Sequence, residues 1–271
     1  MEPEMFEPKD HTFVICAYKE NPFLDETILS LKQQTVLGTI ILSTSTPSKY
    51  LRDICREHDI EYVVNPVQHS AGFDWNYGYD YASTPLVTIA HQDDYYEPDY
   101  LLKMLKAINR YDEGEVSLLF SDYYEIRDGN NVSNNSLLRI KRVMNSFFRF
   151  RLFNKRIFVK RRVLSFGCSI CCPSVLLVKT VTGKSVFDTS FKNSCDYKTW
   201  VDLASKKGRF LYIPQKLLGH RIYEESATSR NLENSIRQYD DQEILKLLWP
   251  ESIARMIYSI YAKGEESNKL G

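Results

Sequence analysis

The chain has 271 residues, of which 43% are hydrophobic and 13% aromatic, and its 35 Lys and Arg residues balance its 35 Asp and Glu residues. This length and apolar content permit one large domain with a sizeable core and exclude an intrinsically disordered chain. The neutral overall charge excludes the long-range attraction of a dedicated nucleic-acid binder, so no nucleic-acid partner is expected.

The N-terminal residues, MEPEMFEPKDH, are acidic and polar, unlike a signal peptide. The longest uncharged run, 163–178, is shorter than the roughly 20 apolar residues that span a membrane. Six cysteines without an export signal are typical of packed, reduced thiols, and the single C-x-x-C pair at 168–171 lacks the second pair of a zinc site. We therefore expect a cytoplasmic protein that is either soluble or touches a membrane only from the side.

The first third of the chain alternates short β-branched runs with helical patterns. Asn21 and Pro22 follow the first strand and predict an N-cap and a first helical residue, for a helix that ends near Gln34. The predicted strands are 12–17, 39–43, 61–64 and 86–90, and the later helices are 48–58 and 73–81. Helices between such strands indicate a parallel sheet covered on both faces, with ligands at the edge where the strands end.

The pattern becomes mixed after residue 95. Asp128 and Gly129 predict a hairpin turn after a strand at 116–121. The other predicted elements are helices at 98–110 and 197–207, strands near 210–213 and 217–223, and C-terminal helices at 232–248 and 250–262.

A basic segment, residues 139–162, contains ten Lys or Arg residues, five Phe residues and no acidic residue. One interpretation is a solvated basic loop and helix. The other is a contact with anionic lipid headgroups or with a lipid-diphosphate-linked acceptor, because clustered cations and apolar side chains together favour an acidic membrane surface.

Two adjacent carboxylates, Asp93 and Asp94, follow the fourth strand. Such like charges raise each other's pKa, whereas a divalent cation reverses that cost. Mg²⁺ or Mn²⁺ typically binds one or two carboxylates and completes its shell with substrate phosphates. The alternative is that both residues cap the next helix.

A second polar cluster lies nearer the C-terminus. Asp196 is predicted at the start of a helix, either as a functional acid or as that helix's N-cap. His220 and Arg221 follow a strand and belong to a run of groups that bind phosphate or hydroxyls, although a single His is more often structural.

Four segments, in this order and spacing, resemble the family 2 glycosyltransferases of the GT-A fold. They are 14–20 together with 24–35, then 71–82, 91–101 and 195–200, within a resemblance that runs from about residue 12 to 230. The resemblance implies an α/β fold whose mostly parallel sheet is flanked by helices, with a mixed acceptor-side half and C-terminal helices. It also implies a nucleotide-diphosphate sugar donor, a divalent Mn²⁺ or Mg²⁺ cofactor, and inversion at the anomeric carbon by direct displacement.

Carried onto this sequence, the resemblance makes Asp93 and His91 the metal-binding residues, with His91 where many relatives have an Asp. It makes Asp196 the general base on the acceptor hydroxyl. The implied donor-binding residues are Ala17, Tyr18, Glu20, Ser43, Gly72, Asn76, Gln92, Asp94 and Arg221. The implied acceptor-side or supporting residues are Cys195, Trp200, His220 and Tyr223.

Three of these positions affect specificity. Tyr18 matches a residue that stacks on the nucleotide base, while Ser43 lies near the position where relatives have an acid that reads uracil. Tyr223 stands where many relatives have a metal-binding His. Uridine is therefore the expected base, and thymidine and guanosine nucleotides stay open.

The resemblance implies a nucleotide-sugar-binding half at 1–94, an acceptor-binding and catalytic half at 95–230, and a helical extension at 231–271. A hexosyl- or N-acetylhexosaminyl-transferase is expected, acting on a saccharide or lipid-linked acceptor in cell-surface polysaccharide or glycoconjugate synthesis, at the inner face of the plasma membrane. A nucleotidyltransferase is one alternative, although 17–22 lacks its Gly-rich phosphate loop. An inactive nucleotide-sugar-binding protein is the other, given the changes at His91, Ser43 and Tyr223.

Overall fold

Nine strands form a single sheet in the computed structural model, which describes residues 5–111, 114–223 and 236–266. The strands are β1 (His11–Ala17), β2 (Thr39–Thr44), β3 (Glu61–Val64), β4 (Leu86–His91), β5 (Tyr95–Tyr96), β6 (Val116–Arg127), β7 (Asn130–Val132), β8 (Val175–Val178) and β9 (Arg209–Ile222). The helices are α1 (Leu24–Lys32), α2 (Lys49–Glu57), α3 (Ala71–Tyr81), α4 (Tyr100–Ile108), α5 (Ser136–Ser146), α6 (Ile157–Leu164), α7 (Lys179–Thr182), α8 (Cys195–Ala204), α9 (Ile236–Lys246) and α10 (Glu251–Glu266). Short 3₁₀ turns lie at Pro8–Asp10, Phe147–Arg149 and Cys172–Ser174.

The strand order across the sheet is β3-β2-β1-β4-β8-β6-β9-β5, and β7 pairs with the end of β6. Strands β1 to β4 pair in parallel, β8 is antiparallel to both β4 and β6, and β6 is parallel to β9. Because β8 reverses the direction twice, β6 and β9 run the same way as β1 to β4. The carboxyl ends of these six strands therefore share one edge, the carboxyl edge, and the predicted mostly parallel sheet with a mixed second half is confirmed.

Both faces of the sheet are buried, which explains the uninterrupted apolar runs of its strands. In β1, Phe13 and Ile15 pack into a core with α1, α2 and α4. Val14, between them, points to the opposite face and packs in a second core with Tyr79 of α3 and Trp200 of α8. Two helical layers thus fix the sheet and hold the loops at its carboxyl edge.

The predicted start of the first helix is wrong. Helix α1 begins at Leu24, and Pro22 lies in the preceding turn. The Asn21 side chain does accept a backbone hydrogen bond, from the N–H of Phe23 at 2.9 Å. That bond closes a local turn rather than capping the helix, because Asn side chains also bond to the N–H two residues on.

The two strands predicted near 210–213 and 217–223 are one strand, β9. Its pairing with β6 passes from Ser121–Ile213 to Asp122–Lys216, so Pro214 and Gln215 form a bulge. Proline has no N–H for the ladder, and a bulge is one of the few places that accept it within a sheet. The hairpin turn is confirmed, since Asp128 and Gly129 have φ of 48° and 75°, as the paired positive-φ positions of such turns require.

The C-terminal helices α9 and α10 pack against each other. The predicted first residues of α9 and the predicted boundary at 230–231 lie outside the described residues, and α10 extends to Glu266 instead of 262. The three-part functional division stays a prediction. Across the described parts of the chain, we find no helix with the length and apolarity to cross a membrane.

Candidate active site

Two elements bring the acidic pair and the C-terminal polar cluster together at the carboxyl edge. Strand β4 ends at His91, and the short β5 pairs with β9 so that Tyr95 lies opposite Gly219. A Cβ at Gly219 would lie 2.9 Å from the Tyr124 ring, so glycine is needed for this close approach. The result is that Asp94 meets His220, although 126 positions separate them in sequence.

Three side chains, His91, Asp93 and Asp94, offer ligand atoms that all lie within 4.8 Å of one another. The Asp94 side chain is fully buried, and its Oδ1 accepts hydrogen bonds from His220 Nδ1 at 2.9 Å and from the Arg221 N–H at 3.0 Å. Within the described residues, Asp94 Oδ2 and His91 Nε2 are buried without a hydrogen-bond partner. Buried polar atoms nearly always have a hydrogen-bond partner. A carboxylate oxygen and an imidazole nitrogen that are buried without one are suited to be ligands of a divalent cation.

The charges of this group are unequal. Burial and the adjacent Asp94 charge raise the pKa of Asp93. Burial also opposes ionisation of Asp94, but the His220 charge and its hydrogen bond outweigh it and lower the pKa of Asp94. The ionised pair is therefore costly mainly at Asp93, and a cation bound there would remove that cost.

Asp93 is held by a short chain of hydrogen bonds. The Tyr223 hydroxyl donates to Asp93 Oδ2 at 2.9 Å and accepts from Asn21 Nδ2 at 2.8 Å. Arg221 Nε donates to the Asp93 carbonyl at 2.9 Å, while its Nη2 donates to Glu26 at 2.7 Å. Tyr223 and Arg221 thus orient the loop that contains Asp93, and among the described residues Asp93 Oδ1 accepts no hydrogen bond and can take a ligand.

An aromatic contact orients His91. The Trp75 ring, on α3, stacks on the His91 ring at 5.2 Å between centroids and 24° between planes. The Phe187 ring meets the Trp75 ring edge-on, with 5.2 Å between centroids. Sequence reasoning missed Trp75 as a site residue, and its place next to Asn76 in the 71–82 motif was the available signal.

The loop after β1 presents Tyr18, whose side chain is 44% exposed, at the same edge. Gln92 holds the Tyr18 backbone with two hydrogen bonds of 3.1 Å. Its Oε1 accepts from the Tyr18 N–H, and its Nε2 donates to the Tyr18 carbonyl. The next residue, Lys19, has a φ of 59° and donates its N–H to Thr46. Ala17 is buried beneath this loop and Glu20 is exposed beside it. Gln92 therefore fixes the position of the Tyr18 backbone at the carboxyl edge.

An acid does lie where β2 and β3 end, but it comes from a helix. Asp74 of α3 accepts hydrogen bonds from Ser45 Oγ at 2.7 Å and Asn65 Nδ2 at 2.9 Å. Burial raises the pKa of Asp74, and these two hydrogen bonds oppose the rise. Ser43, the predicted residue, is buried in the sheet next to Gly78. Sequence reasoning looked for the acid on the strand and so missed Asp74.

Gly72 and Asn76 join α3 to its neighbours. A Cβ at Gly72 would lie 3.3 Å from the Cβ of Cys195, at the start of α8. Asn76 makes two hydrogen bonds of 2.8 Å with the Phe187 backbone. Both residues therefore position α8 relative to the site.

Asp196 is the second residue of α8, and it is half-buried. The N-cap is Ser194, so the capping alternative for Asp196 is wrong. Helix α4 likewise begins after Asp99, which excludes capping by Asp93 and Asp94. Burial raises the pKa of the Cys171 thiol, and the charges of Asp94 and Asp196 add to the rise. The charges of both acids thus act on the same buried thiol.

Two predicted acceptor-side residues are interior. Trp200 is fully buried and packs edge-on against Phe187 at 6.1 Å. Cys195 is 2% exposed under α3. Both support α8, whose first turn contains Asp196, and neither presents an open surface. The six cysteines remain thiols.

Comparisons with known proteins agree with this geometry. The model of the family described as Glycosyl transferase family 2 matches residues 12–177, more than half of the chain. No protein with a curated description matches the sequence.

Three solved structures with the same fold illustrate the likeness. TarS 1–349 of S. aureus is 13% identical with a TM-score of 0.60, over 96% of this chain and 72% of that one. This chain spans 42% of a longer TarS structure. The mannosyltransferase PcManGT from Pyrobaculum calidifontis, in complex with GDP-Man and Mn²⁺, is 12% identical with a TM-score of 0.61, over 97% and 71%.

Glucosyl-3-phosphoglycerate synthase from Mycobacterium tuberculosis, with Mn²⁺, UDP and glucosyl-3-phosphoglycerate, is 13% identical with a TM-score of 0.54, over 84% and 76%. At these identities the likeness shows the fold, which is GT-A. The family match covers β1 to β8 and therefore includes His91, Asp93 and Asp94. The chain belongs to glycosyl transferase family 2.

Proposed function

We propose that this protein transfers a sugar, with inversion, from a nucleotide-diphosphate donor to an acceptor hydroxyl, and that it uses Mn²⁺ or Mg²⁺. The observation that carries the proposal is the group of His91, Asp93 and Asp94 at the carboxyl edge, with a buried Asp94 oxygen that lacks a donor. Ligands of open α/β sheets bind at this edge. The relatives crystallised with Mn²⁺ and nucleotide sugars support the same assignment.

Asp93 and His91 would hold the cation, and Asp94 would support them from beneath. A divalent cation in this position supplies positive charge to the leaving diphosphate oxygens. The protein's part is to hold its ligands still: Tyr223 restrains Asp93, and Trp75 restrains His91. Arg221, whose guanidinium lies 4.0 Å from the Phe23 ring centroid, adds fixed positive charge near the Asp93 backbone.

Asp196 would be the general base. The bond between the anomeric carbon and the diphosphate oxygen breaks as the acceptor oxygen bonds to the opposite face of that carbon, and the acceptor proton passes to Asp196. A positioned general base contributes about 10²–10⁴-fold to the rate. The burial of Cys195 and Trp200 behind α8 keeps its first turn in a fixed place.

The donor's base would stack on Tyr18, and Asp74 would accept a hydrogen bond from a ring N–H of the base. Asp74 lies at the ends of β2 and β3 with Asn65 and Ser45, close to the loop of Tyr18. We propose uridine as the base, and a hexosyl or N-acetylhexosaminyl residue as the sugar. Structural relatives crystallised with UDP-GlcNAc, UDP-glucose and GDP-mannose support this donor class. Because one of these donors is a guanosine nucleotide, GDP-sugars are included in the donor panel below.

We further propose that the acceptor is a saccharide or a lipid-linked saccharide, in the synthesis of a cell-surface polysaccharide or glycoconjugate. In this proposal residues 1–94 bind the donor, 95–230 bind the acceptor, and 231–271 form a helical extension. The protein would work in the cytoplasm, at the inner face of the plasma membrane. The acid-free basic segment, 139–162, supports a peripheral contact with anionic lipid.

The test is a panel of UDP-, GDP- and dTDP-sugars, with saccharide and lipid-linked acceptors and with or without Mn²⁺, in which nucleoside diphosphate release and product mass are measured. Asp93→Asn and Asp196→Asn should each abolish transfer while circular dichroism shows an intact fold. Asp99→Asn and Asp202→Asn, near the same two elements, are the matched controls and should transfer normally.

Wild-type turnover by Asp93→Asn or Asp196→Asn would remove that residue from the mechanism. Pyrophosphate release from a nucleoside triphosphate and a sugar phosphate would favour the nucleotidyltransferase alternative. Donor binding without hydrolysis or transfer across the whole panel would favour the inactive binding protein.

A further inference from the structure

Large apolar side chains are exposed along the segment that includes α5 and α6. In this segment Phe147, Phe150 and Phe153 are 46%, 57% and 37% exposed and contact one another, with ring centroids 6.0 to 6.4 Å apart. Phe158 is 71% exposed, and Phe166 is 47% exposed. We call these five side chains the phenylalanine face.

The phenylalanine face continues across α6. The Arg162 guanidinium lies 5.5 Å from the Phe158 centroid and 4.1 Å from the Trp249 centroid. Trp249 in turn meets Phe166 edge-on at 6.0 Å. Phe158 and Phe166 are thus joined through Arg162 and Trp249, and they form a second exposed cluster that follows the first along the chain.

Folding alone does not account for these exposed rings. One phenylalanine of the segment, Phe148, is 1% exposed and packs against Phe120 and Phe210, which anchors the segment to the sheet. The remaining rings face outward. Clustered exposed aromatic side chains of this kind mark an interaction site.

The charged residues of segment 139–162 itself are all cationic. Several of the ten cations in 139–162 are engaged internally, among them Arg142 with Asp122 at 2.7 Å, Lys141 with the Tyr123 hydroxyl at 3.1 Å, and Lys160 with backbone carbonyls. Five others are exposed: Arg139, Arg149, Arg151, Lys155 and Arg156. A surface with exposed rings, exposed cations and no acid in its own segment complements a layer that is apolar below and anionic on top.

We propose that the phenylalanine face docks on the surface of a bilayer that contains anionic lipids, with its rings at the boundary of headgroups and acyl chains. Aromatic rings favour that boundary, and each nearby Lys or Arg adds attraction to anionic headgroups. The segment begins at α5, directly after the β6–β7 hairpin at the carboxyl edge, and reaches Arg209 at the opposite end of the sheet. This inference deepens the peripheral membrane contact of the proposed function, and delivery of a lipid-linked acceptor to the site rests on that function. The binding of vesicles can be measured without donor or acceptor.

The experiment is co-sedimentation of the full chain with vesicles of phosphatidylcholine, alone or mixed with phosphatidylglycerol, without donor or acceptor. We expect binding to the mixed vesicles that falls as salt rises, and about tenfold weaker binding for the pair Phe150→Ser with Phe158→Ser. Leu37→Ser with Val67→Ser, at positions 61% and 50% exposed in the first half of the chain, is the matched control and should bind like wild type.

Circular dichroism and thermal unfolding establish that the variants fold, and Arg149→Glu with Arg156→Glu tests the charge without touching an aromatic ring. Equal binding to both vesicle types, or unchanged binding by both the phenylalanine and arginine variants, overturns the proposal. Self-association in lipid-free buffer that the phenylalanine variant abolishes also overturns it, because a second copy would then cover the face. Transfer to a soluble acceptor, measured in parallel, tests the proposed function separately, since the phenylalanine variant should retain it.

Discussion

Replacement of Tyr223 by Phe removes one hydroxyl from the hydrogen-bond chain that holds Asp93. The hydroxyl donates to Asp93 Oδ2 at 2.9 Å, and this bond opposes the rise in the pKa of Asp93 that burial and Asp94 cause. Without it, the carboxylate is both less oriented and harder to ionise. We therefore expect Tyr223→Phe to bind Mn²⁺ more weakly.

The size of the effect follows from the geometry. A hydrogen bond to a charged group contributes about 1.5–3 kcal/mol, and Tyr223 is half-buried, which favours the lower end. About 1.4 kcal/mol corresponds to a tenfold change in Kd, so we expect a Kd for Mn²⁺ about tenfold higher. Because the variant raises the pKa of Asp93 further, the difference from wild type should shrink as the pH rises.

Free Mn²⁺ is counted by electron paramagnetic resonance during titration of each protein, at two pH values. Tyr50→Phe is the matched control, since its hydroxyl also bonds to Asn21, at the carbonyl and at 2.9 Å, but does not contact Asp93. The reasoning is refuted if Tyr223→Phe binds Mn²⁺ as tightly as wild type, or if Tyr50→Phe weakens binding equally.

Two further predictions concern metal choice and acid stability. His91→Asp should shift the ratio of Mn²⁺ to Mg²⁺ affinity toward Mg²⁺, because imidazole favours transition metals and carboxylate favours Mg²⁺. A competition titration measures this ratio, and an unchanged ratio would exclude His91 as a ligand. Burial lowers the pKa of His11 to about 3, so the unfolded state binds more protons between there and about 6.5, and stability is lost as the pH falls through this window. The loss approaches about 5 kcal/mol at the acid limit. His11→Gln, which can keep the hydrogen bond to Thr88, should reduce this loss, as measured by urea unfolding at pH 4, inside the window, and at pH 7. An unchanged dependence of the unfolding free energy on pH would refute this role of His11.

The parallel half of the fold could be predicted from sequence because its strands are buried on both faces and separated by helices of typical length. Prediction from short sequence patterns failed where the same residues are compatible with two different local structures. Asn21 and Pro22 suit a helix start, but the Asn side chain closes a turn instead. Pro214 suggested a break between two strands, and the chain accommodates it as a bulge.

The position of the site could also be predicted, since strand ends share an edge. Its internal contacts could not, because they join distant parts of the chain: Asp94 with His220, and Asn21 with Tyr223, 202 positions apart. Asp74 illustrates the same limit. Its helix α3, rather than strand β2, delivers the acid to the ends of β2 and β3.

The most direct test of the central claim is anomalous diffraction from crystals soaked with Mn²⁺ and UDP. We predict a single strong manganese peak within about 2.5 Å of an Asp93 carboxylate oxygen and a His91 ring nitrogen, with diphosphate oxygens completing the shell. A peak away from Asp93, or nucleotide bound at the carboxyl edge with no metal beside it, would contradict the account.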